Sequence, residues 1–341
     1  MLQLAVDLAG EECYSMSNLD LNFSPRWIDY NLGITGYGHA YPGQLVFNEK
    51  ATGLEFGSVD HTIIGSIDVR SRYVSDEQDD IVELAAEAAA SALKDADVVA
   101  DDVDLLIMTN WTDRQFVPEY APRVATRIGA NSAFSFNVCG ACTGFIHGTQ
   151  QAAAYLASSS SASTAVVISV DRFSRRVRPG SKGQLVVGDA AGAVVIQKAS
   201  TSSARLIDTV LRSDGRHYEA TTVLPPLGYI KSKPELVDLA LESNLWSVES
   251  LLDRNNLSIK DIDWLVPHPG TSALHQKLFY EVGISTERFV TNFEVRGNTG
   301  SASIPIVLSE MKIDGRLRPG NLVMIIAVGS GWYYGGGLFR V

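Results

Sequence analysis

The chain repeats its own plan, and that repeat limits what it can fold into. Asp104-Leu-Leu-Ile-Met-Thr is echoed by Asp263-Trp-Leu-Val-Pro-His, and each run follows a long helical pattern, over 79–96 and over about 234–254. Each leads into a helix that ends near a glycine, Arg127-Ile-Gly129 and Glu281-Val-Gly283. A short strand, a glycine-containing turn and a small-residue helix start come next: Cys139-Gly-Ala-Cys-Thr-Gly and Arg296-Gly-Asn-Thr-Gly-Ser. Each half closes on Gly-rich strands, GDAAGAVVI over 188–196 and GSGWYYGGGLFRV over 329–341. This pattern predicts a duplicated α/β unit. Continuous apolar runs such as Val103 to Met108 imply strands buried on both faces, in mainly parallel pairing with antiparallel additions. Two halves of about 150 residues each suit the usual domain size. The expected division is an N-terminal extension (1–30), a first half (31–200) and a second half (201–341).

Local signals fill in the plan. Strands are expected at Leu32 to Gly38, Phe134 to Val138, Ala165 to Val170, Ala193 to Ile196 and Trp264 to Val266. Asp79 to Ala96 is acidic at its start, Ala-rich within and carries Lys94 near its end, which suits a helix and its dipole. A second helix is expected over Tyr120 to Ile128. Residues 1–29 fit no periodic pattern and read as an arm, a partner-binding segment or a tail.

Charge and composition exclude some functions. A formal net charge of −11 argues against nucleic acid as the main partner. No apolar run approaches membrane-spanning length. The start, MLQLAVDLAGEE, lacks the basic residues of a signal peptide. Three cysteines in 341 residues suggest a reducing compartment, with the cytoplasm as the default expectation.

One cysteine is well placed for chemistry. Cys142 falls where the Phe134 to Val138 strand hands over to an Ala-rich helix from about Thr143. Free backbone N–H groups and the positive helix end favour a thiolate there, and a thiolate is what a nucleophilic cysteine needs. A small buried cysteine is the commoner role for the residue taken alone. If the halves pack symmetrically, the Cys142 turn meets the Asn298 turn, and His268 lies just past Trp264 to Val266 at the same end of the sheet, where open α/β folds place their sites. A thiol beside two hydrogen-bond donors suits acyl transfer.

These pieces together carry a resemblance. ACTGF around Cys142, GDAAGAVVI around Asp189, WLVPH ending at His268, GNTGSASIP around Asn298 and the terminal GSGWYYGGGLFRV stand in the order found in condensing enzymes of the thiolase superfamily. The chain resembles most closely the β-ketoacyl-acyl-carrier-protein synthase III type, over residues 31–341. The resemblance implies an α/β thiolase fold, two duplicated halves in a five-layered αβαβα architecture. It implies that Cys142 takes an acyl group from a thioester, in an oxyanion hole made by the backbone N–H groups of Cys142 and Ser330. It implies that His268 and Asn298 hold the thioester oxygen of a malonyl-type second substrate, whose decarboxylation gives the attacking enolate. The substrates would be coenzyme A or acyl-carrier-protein thioesters, with no resident cofactor or metal. Phe116, in Arg114-Gln-Phe-Val-Pro, resembles a loop that reaches into a partner subunit's acyl pocket, which implies a homodimer or a heterodimer with a paralogue. Two rival readings remain: an acyltransferase of the same fold that passes the acyl group to oxygen or nitrogen, and a non-catalytic partner subunit.

The sequence also departs from the family. Members of primary metabolism follow the histidine with Gln-Ala-Asn; here Pro269, Gly270 and Thr271 follow it. Those members also clamp the adenine of coenzyme A with a Trp and an Arg near the start, where Thr62 and Ser66 stand here. Loss of a stacking and cation–π clamp weakens such a contact, so a specialised synthase of natural-product biosynthesis fits better than the housekeeping enzyme. Arg172, Arg175, Arg176, Arg178 and Lys182 form a basic run. It reads equally as a receptor for coenzyme A phosphates or an acidic carrier face, or as a solvated loop. Cys139 and Cys142 make a CxxC, but no thioredoxin-like pattern surrounds it and zinc needs more ligands; Cys139 reads as pocket lining. GDAAGA lacks the spacing of a nucleotide loop and reads as a structural turn.

Overall fold

The computed structural model of the protein describes residues 26–48, 68–198, 204–225 and 228–341. The Thr62 and Ser66 positions, and residues 1–25 of the N-terminal arm, lie outside the described residues. The strands are β1 (Leu32–Ala40), β2 (Gln44–Phe47), β3 (Ser71–Val74), β4 (Leu105–Thr109), β5 (Phe134–Val138), β6 (Thr164–Arg172), β7 (Asp189–Lys198), β8 (Arg205–Ser213), β9 (Thr221–Val223), β10 (Ile230–Ser232), β11 (Trp264–Pro267), β12 (Leu322–Gly329) and β13 (Tyr333–Arg340). The principal helices are α1 (Ile81–Asp95), α2 (Tyr120–Ile128), α3 (Gly144–Ser158), α4 (Leu236–Asn255), α5 (Ser272–Val282) and α6 (Ser303–Ile313).

The duplication is visible strand by strand. One sheet runs β1-β7-β6-β4-β5 and the other β8-β13-β12-β11. In each, the strand that follows the repeated aspartate pairs parallel with a central neighbour (β4 with β6, β11 with β12); β4 also pairs parallel with the edge strand β5, and the other neighbours are antiparallel. The repeated aspartates have a shared job. Asp104 Oδ2 accepts the backbone N–H groups of Ser163 and Thr164 at the start of β6, and Asp263 Oδ2 accepts that of Leu322 at the start of β12. Each therefore sets the register of its central parallel pair. The copies differ at the edge. β5 is a full strand in the first half, but its counterpart shrinks to a single parallel bridge between Leu265 and Phe289.

Side-chain alternation assembles the layers. Leu105 and Ile107 of β4, Ala165 and Val167 of β6, and Val323 and Ile325 of β12 all enter one central core, together with Phe145 and Leu156 of α3 and Ile304 and Leu308 of α6. The intervening Leu106, Met108, Val166 and Ile168 face α1 and α2. Leu322, Met324 and Ile326 face α4 and α5. The result is helices, sheet, helices, sheet, helices, the five-layered arrangement the resemblance implies. Both faces of both sheets are covered, which is why the central strands read as unbroken apolar runs. Ahead of β1, Trp27 is buried, and its indole N–H donates to Thr209 Oγ1 of β8 at 2.7 Å, so the end of the N-terminal segment is tied to the second half. No helix among the described residues is long and apolar enough to cross a membrane.

Candidate active site

The buried helices α3 and α6 set the site, because each begins at a turn facing the other half. After β5, Cys139 and Gly140 lead into a single 3₁₀ turn, Ala141–Thr143, and then into α3. Thr143 closes that turn, its N–H and hydroxyl both reaching Gly140 O, at 3.1 and 2.6 Å. Ala141 takes a left-handed φ of 46°. A non-glycine residue there stores strain of about 1–3 kcal/mol, held by the surrounding structure. The β12–β13 hairpin turn presses on the same backbone. A Cβ added at Gly329 would lie 3.0 Å from Cys142 N and from Thr143 N, which places the following Ser330 beside the nucleophile turn.

In the second half, Asn298 occupies the equivalent turn and is held at four points. Its backbone N–H donates to Val186 O at 2.8 Å, and its carbonyl accepts from Gly188 N at 3.0 Å. Its side-chain Oδ1 accepts from Gly300 N at 3.0 Å, and its Nδ2 donates to Gly270 O at 3.2 Å. An amide nitrogen has two hydrogens, so one donor is left for a ligand. His268 sits just past β11, its N–H donating to Ile326 O at 2.7 Å. Its Nδ1 has no hydrogen-bond partner among the described residues.

Cys142, His268 and Asn298 all line one cavity of about 800 Å³, together with Ser330 and Cys139. The cavity is mostly apolar in lining: Trp111, Phe173, Val177 and Val187 form one wall, and Val237, Leu274 and Val328 another. Ligand sites commonly combine such a lining with a few convergent polar groups. Among the described residues, no group of three or more His, Cys, Asp or Glu is placed to hold a metal ion.

Burial dominates the electrostatics. It pushes the Cys142 thiol up, and the Asp171 carboxylate adds to that, against a smaller opposing pull from the backbone N–H of Cys142. Burial therefore opposes the pull of the helix end toward a thiolate. Burial and the neighbouring His275 push His268 down to about 3. Its imidazole is neutral at physiological pH, although a hydrogen bond with the Gly300 backbone pulls the other way. Asp171 was not singled out from the sequence. It ends β6 and bridges the halves, accepting from Trp111 N at 3.1 Å and from Ser301 N and Oγ at 2.7 Å each, and burial pushes it up to about 7. Its one sequence signal is a carboxylate ending an unbroken apolar strand.

His275, on α5, is pushed down to about 4 by burial. A base whose folded pKa lies below its unfolded value costs stability as pH falls below that unfolded value, because only the unfolded chain takes the proton. His275→Gln is therefore expected to lose less stability than the parent on acidification from pH 7 to 4.5. The difference is on the order of 2 kcal/mol from the linkage relation, read by denaturant melts of both proteins. Asp171 acts in the opposite sense in both and cancels in the parent–variant difference, which combines the His275 titration with the relief its removal gives His268.

The basic run divides. Arg176 and Lys182 line the cavity. Arg175 donates to Asp76 O at 2.6 Å and Arg178 is exposed. Arg172 is corrected: it is buried away from the cavity, with Nη2 and Nε on the Asp113 carboxylate and Nη1 on Asp79 O at 2.6 Å. It braces the β6 end of the site instead of facing a substrate. Both side chains of that pair are 10% exposed. Asp113→Ala is expected to cost about 3 kcal/mol of stability by stranding a buried charge, measurable by denaturant unfolding. Phe116 stands apart from the cavity and is 94% exposed.

With this geometry described, comparison with known proteins gives one family. The sequence pattern of 3-oxoacyl-[acyl-carrier-protein (ACP)] synthase III matches residues 136–215, and that of the C-terminal part of the same enzyme matches 252–341. A β-ketoacyl-[acyl-carrier-protein] synthase III from Paramagnetospirillum magneticum is 32% identical over 320 residues, covering 90% of this chain and 98% of the relative. One from Streptomyces coelicolor, synthase III 3, is 32% identical, covering 89% and 95%. The crystal structure of 3-oxoacyl-[acyl-carrier-protein] synthase III from Aquifex aeolicus superposes with a TM-score of 0.85 at 27% identity, covering 91% of this chain and 100% of that one. By sequence and by fold, the chain belongs to the β-ketoacyl-acyl-carrier-protein synthase III family.

Proposed function

We propose that the protein loads an acyl group from a thioester onto Cys142 and then joins it to a malonyl-type thioester by decarboxylative Claisen condensation. The observation that carries this reading is the convergence of Cys142, His268 and Asn298 on one largely apolar cavity from three distant stretches of chain. In the first step Cys142 Sγ attacks the thioester carbonyl. The negative oxygen turns to the backbone N–H groups of Cys142 and Ser330. The carrier leaves as its thiol, taking up the proton the cysteine gives. In the second step the malonyl thioester places its carbonyl oxygen against His268 and the free hydrogen of Asn298 Nδ2. Loss of carbon dioxide leaves an enolate on that oxygen, and its carbon attacks the acyl-cysteine. The carbon–sulfur bond breaks, and the released cysteine thiolate takes up a proton from solvent. A neutral imidazole and an amide suit this step because they donate without first being titrated.

The carriers are coenzyme A or an acyl carrier protein. Arg176 and Lys182 on the cavity wall, with exposed Arg175 and Arg178 nearby, are the groups for their phosphates or acidic face. The exposed Phe116, beside the 89% exposed Val117, is an apolar tip suited to insertion into a second subunit. Incubation with acyl thioesters and malonyl thioesters on both carriers tests the reading. Carbon dioxide release matched one to one with a β-ketoacyl product supports condensation. Acyl transfer to an alcohol or amine without carbon dioxide release would overturn it.

A further inference from the structure

One side chain of the cavity is out of keeping with its surroundings. Along α4, the cavity-lining residues Leu236, Val237, Ala240 and Asn244 follow helical spacing on one face. Leu236 and Val237 are half-buried, Ala240 is 5% exposed and Asn244 is 3% exposed, so this wall runs from the surface inward and ends on an amide. Asn244 Nδ2 is fixed on Ala240 O at 2.9 Å, one turn back. Its Oδ1 is buried and, among the described residues, receives no hydrogen bond. The neighbouring buried polar groups are satisfied: Ser247 Oγ donates to Ser243 O at 2.8 Å, and Ser243 Oγ accepts the Trp332 indole N–H at 3.1 Å. Val237, Leu274, Val328 and Trp332 line the same cavity and pack in one apolar cluster with Ala240, the residue that holds the amide. Trp332 stands two residues after Ser330, in the turn that presses on Cys142, so this wall leads to the nucleophile.

A buried acceptor carries a desolvation cost until a donor is brought to it. A purely aliphatic chain would leave that cost in place, whereas a chain with its own hydroxyl or amine would remove it. We propose that Asn244 is a specificity-determining residue that accepts a hydrogen bond from a hydroxyl or amino group on the acyl chain delivered to Cys142. This rests on the acyl-loading reading above and names the substrate class of that same site. Hydrogen-bonding pockets discriminate against analogues lacking the donor far more strongly than apolar pockets discriminate by size. The carrier arm also presents amide N–H groups, and a test must separate the two sources.

The full-length protein is incubated with hexanoyl-, 3-hydroxyhexanoyl- and 6-hydroxyhexanoyl-coenzyme A, and the rate of adduct formation on Cys142 is followed by intact-protein mass spectrometry. The expected result is a preference of at least about tenfold for one hydroxylated donor over hexanoyl. In Asn244→Leu that preference is expected to fall at least about tenfold, with the hexanoyl rate within a few-fold of the parent. Asn244→Ala adds no bulk and decides the matter if the leucine variant does not fold. Adducts formed without preference, or a preference that survives both substitutions, overturn the inference and leave acyl loading standing. An equal fall for all three donors assigns the hydrogen bond to the carrier arm and also overturns it. The absence of any adduct in the parent removes the acyl-loading reading and the inference with it.

Discussion

Cys142→Ala is expected to form no acyl adduct from any thioester and to lower condensation by at least about ten-thousand-fold, the scale of loss when a covalent nucleophile is removed. The reason lies in how completely the surroundings are organised for one sulfur atom. The 3₁₀ turn, the strained Ala141 and the close approach of Gly329 fix the Cys142 backbone against the Ser330 turn. Alanine preserves all three, so the fold and the cavity persist while the bond-forming atom is lost. Intact-protein mass spectrometry on parent and variant, with matched melting temperatures as the folding control, reads the outcome. A full-occupancy adduct on Cys142→Ala would place the nucleophile elsewhere. Cys139 is the group to examine then, since it lines the same cavity and its sulfur lies 3.2 Å from the Arg114 guanidinium.

Much of the architecture was legible because it is written twice. Apolar runs at β4, β6 and β12 announce sheets covered on both faces, and α2 and β5 occupy the residues that periodicity and glycine stops assign them. The repeat also pointed to the convergence of Cys142 with Asn298, which no local pattern could supply at such sequence separation. Less visible was whatever depends on pairing instead of periodicity. β8 carries Asp208 amid its apolar residues, and the β9–β10 hairpin that walls the cavity is too short to show alternation. α6 lies between two sheets and is apolar on nearly all sides, so it shows no amphipathic period. The electrostatics of Cys142 were only half legible for a related reason. A helix start is a local feature visible in sequence, but the removal of the thiol from water is collective and appears only once the layers close. Arg172 was misread likewise: a basic run looks uniform in one dimension, whereas the fold turns one member inward onto Asp113 and others toward the cavity or solvent.

Asn298→Ala separates the two chemical steps. Acyl loading draws on Cys142 and the Ser330 turn, to which the Asn298 amide contributes nothing directly, so adduct formation is expected to stay within a few-fold of the parent. Condensation is expected to fall by about 10²–10³-fold, the usual loss when one of a small set of oxyanion donors is removed. The side chain also accepts from Gly300 N and donates to Gly270 O, and alanine removes both contacts. Asn298→Asp distinguishes a displaced turn from a missing donor. Aspartate keeps the acceptor for Gly300 N but presents negative charge where the enolate forms, so it is expected to be at least as impaired in condensation as alanine. If the aspartate variant instead recovers condensation, the amide acts by holding its own turn and the enolate is stabilised by other groups. If both variants load acyl groups normally and neither forms product, loading and carbon–carbon bond formation are separate events in one cavity, the first resting on Cys142 and the Ser330 turn and the second on His268 and Asn298.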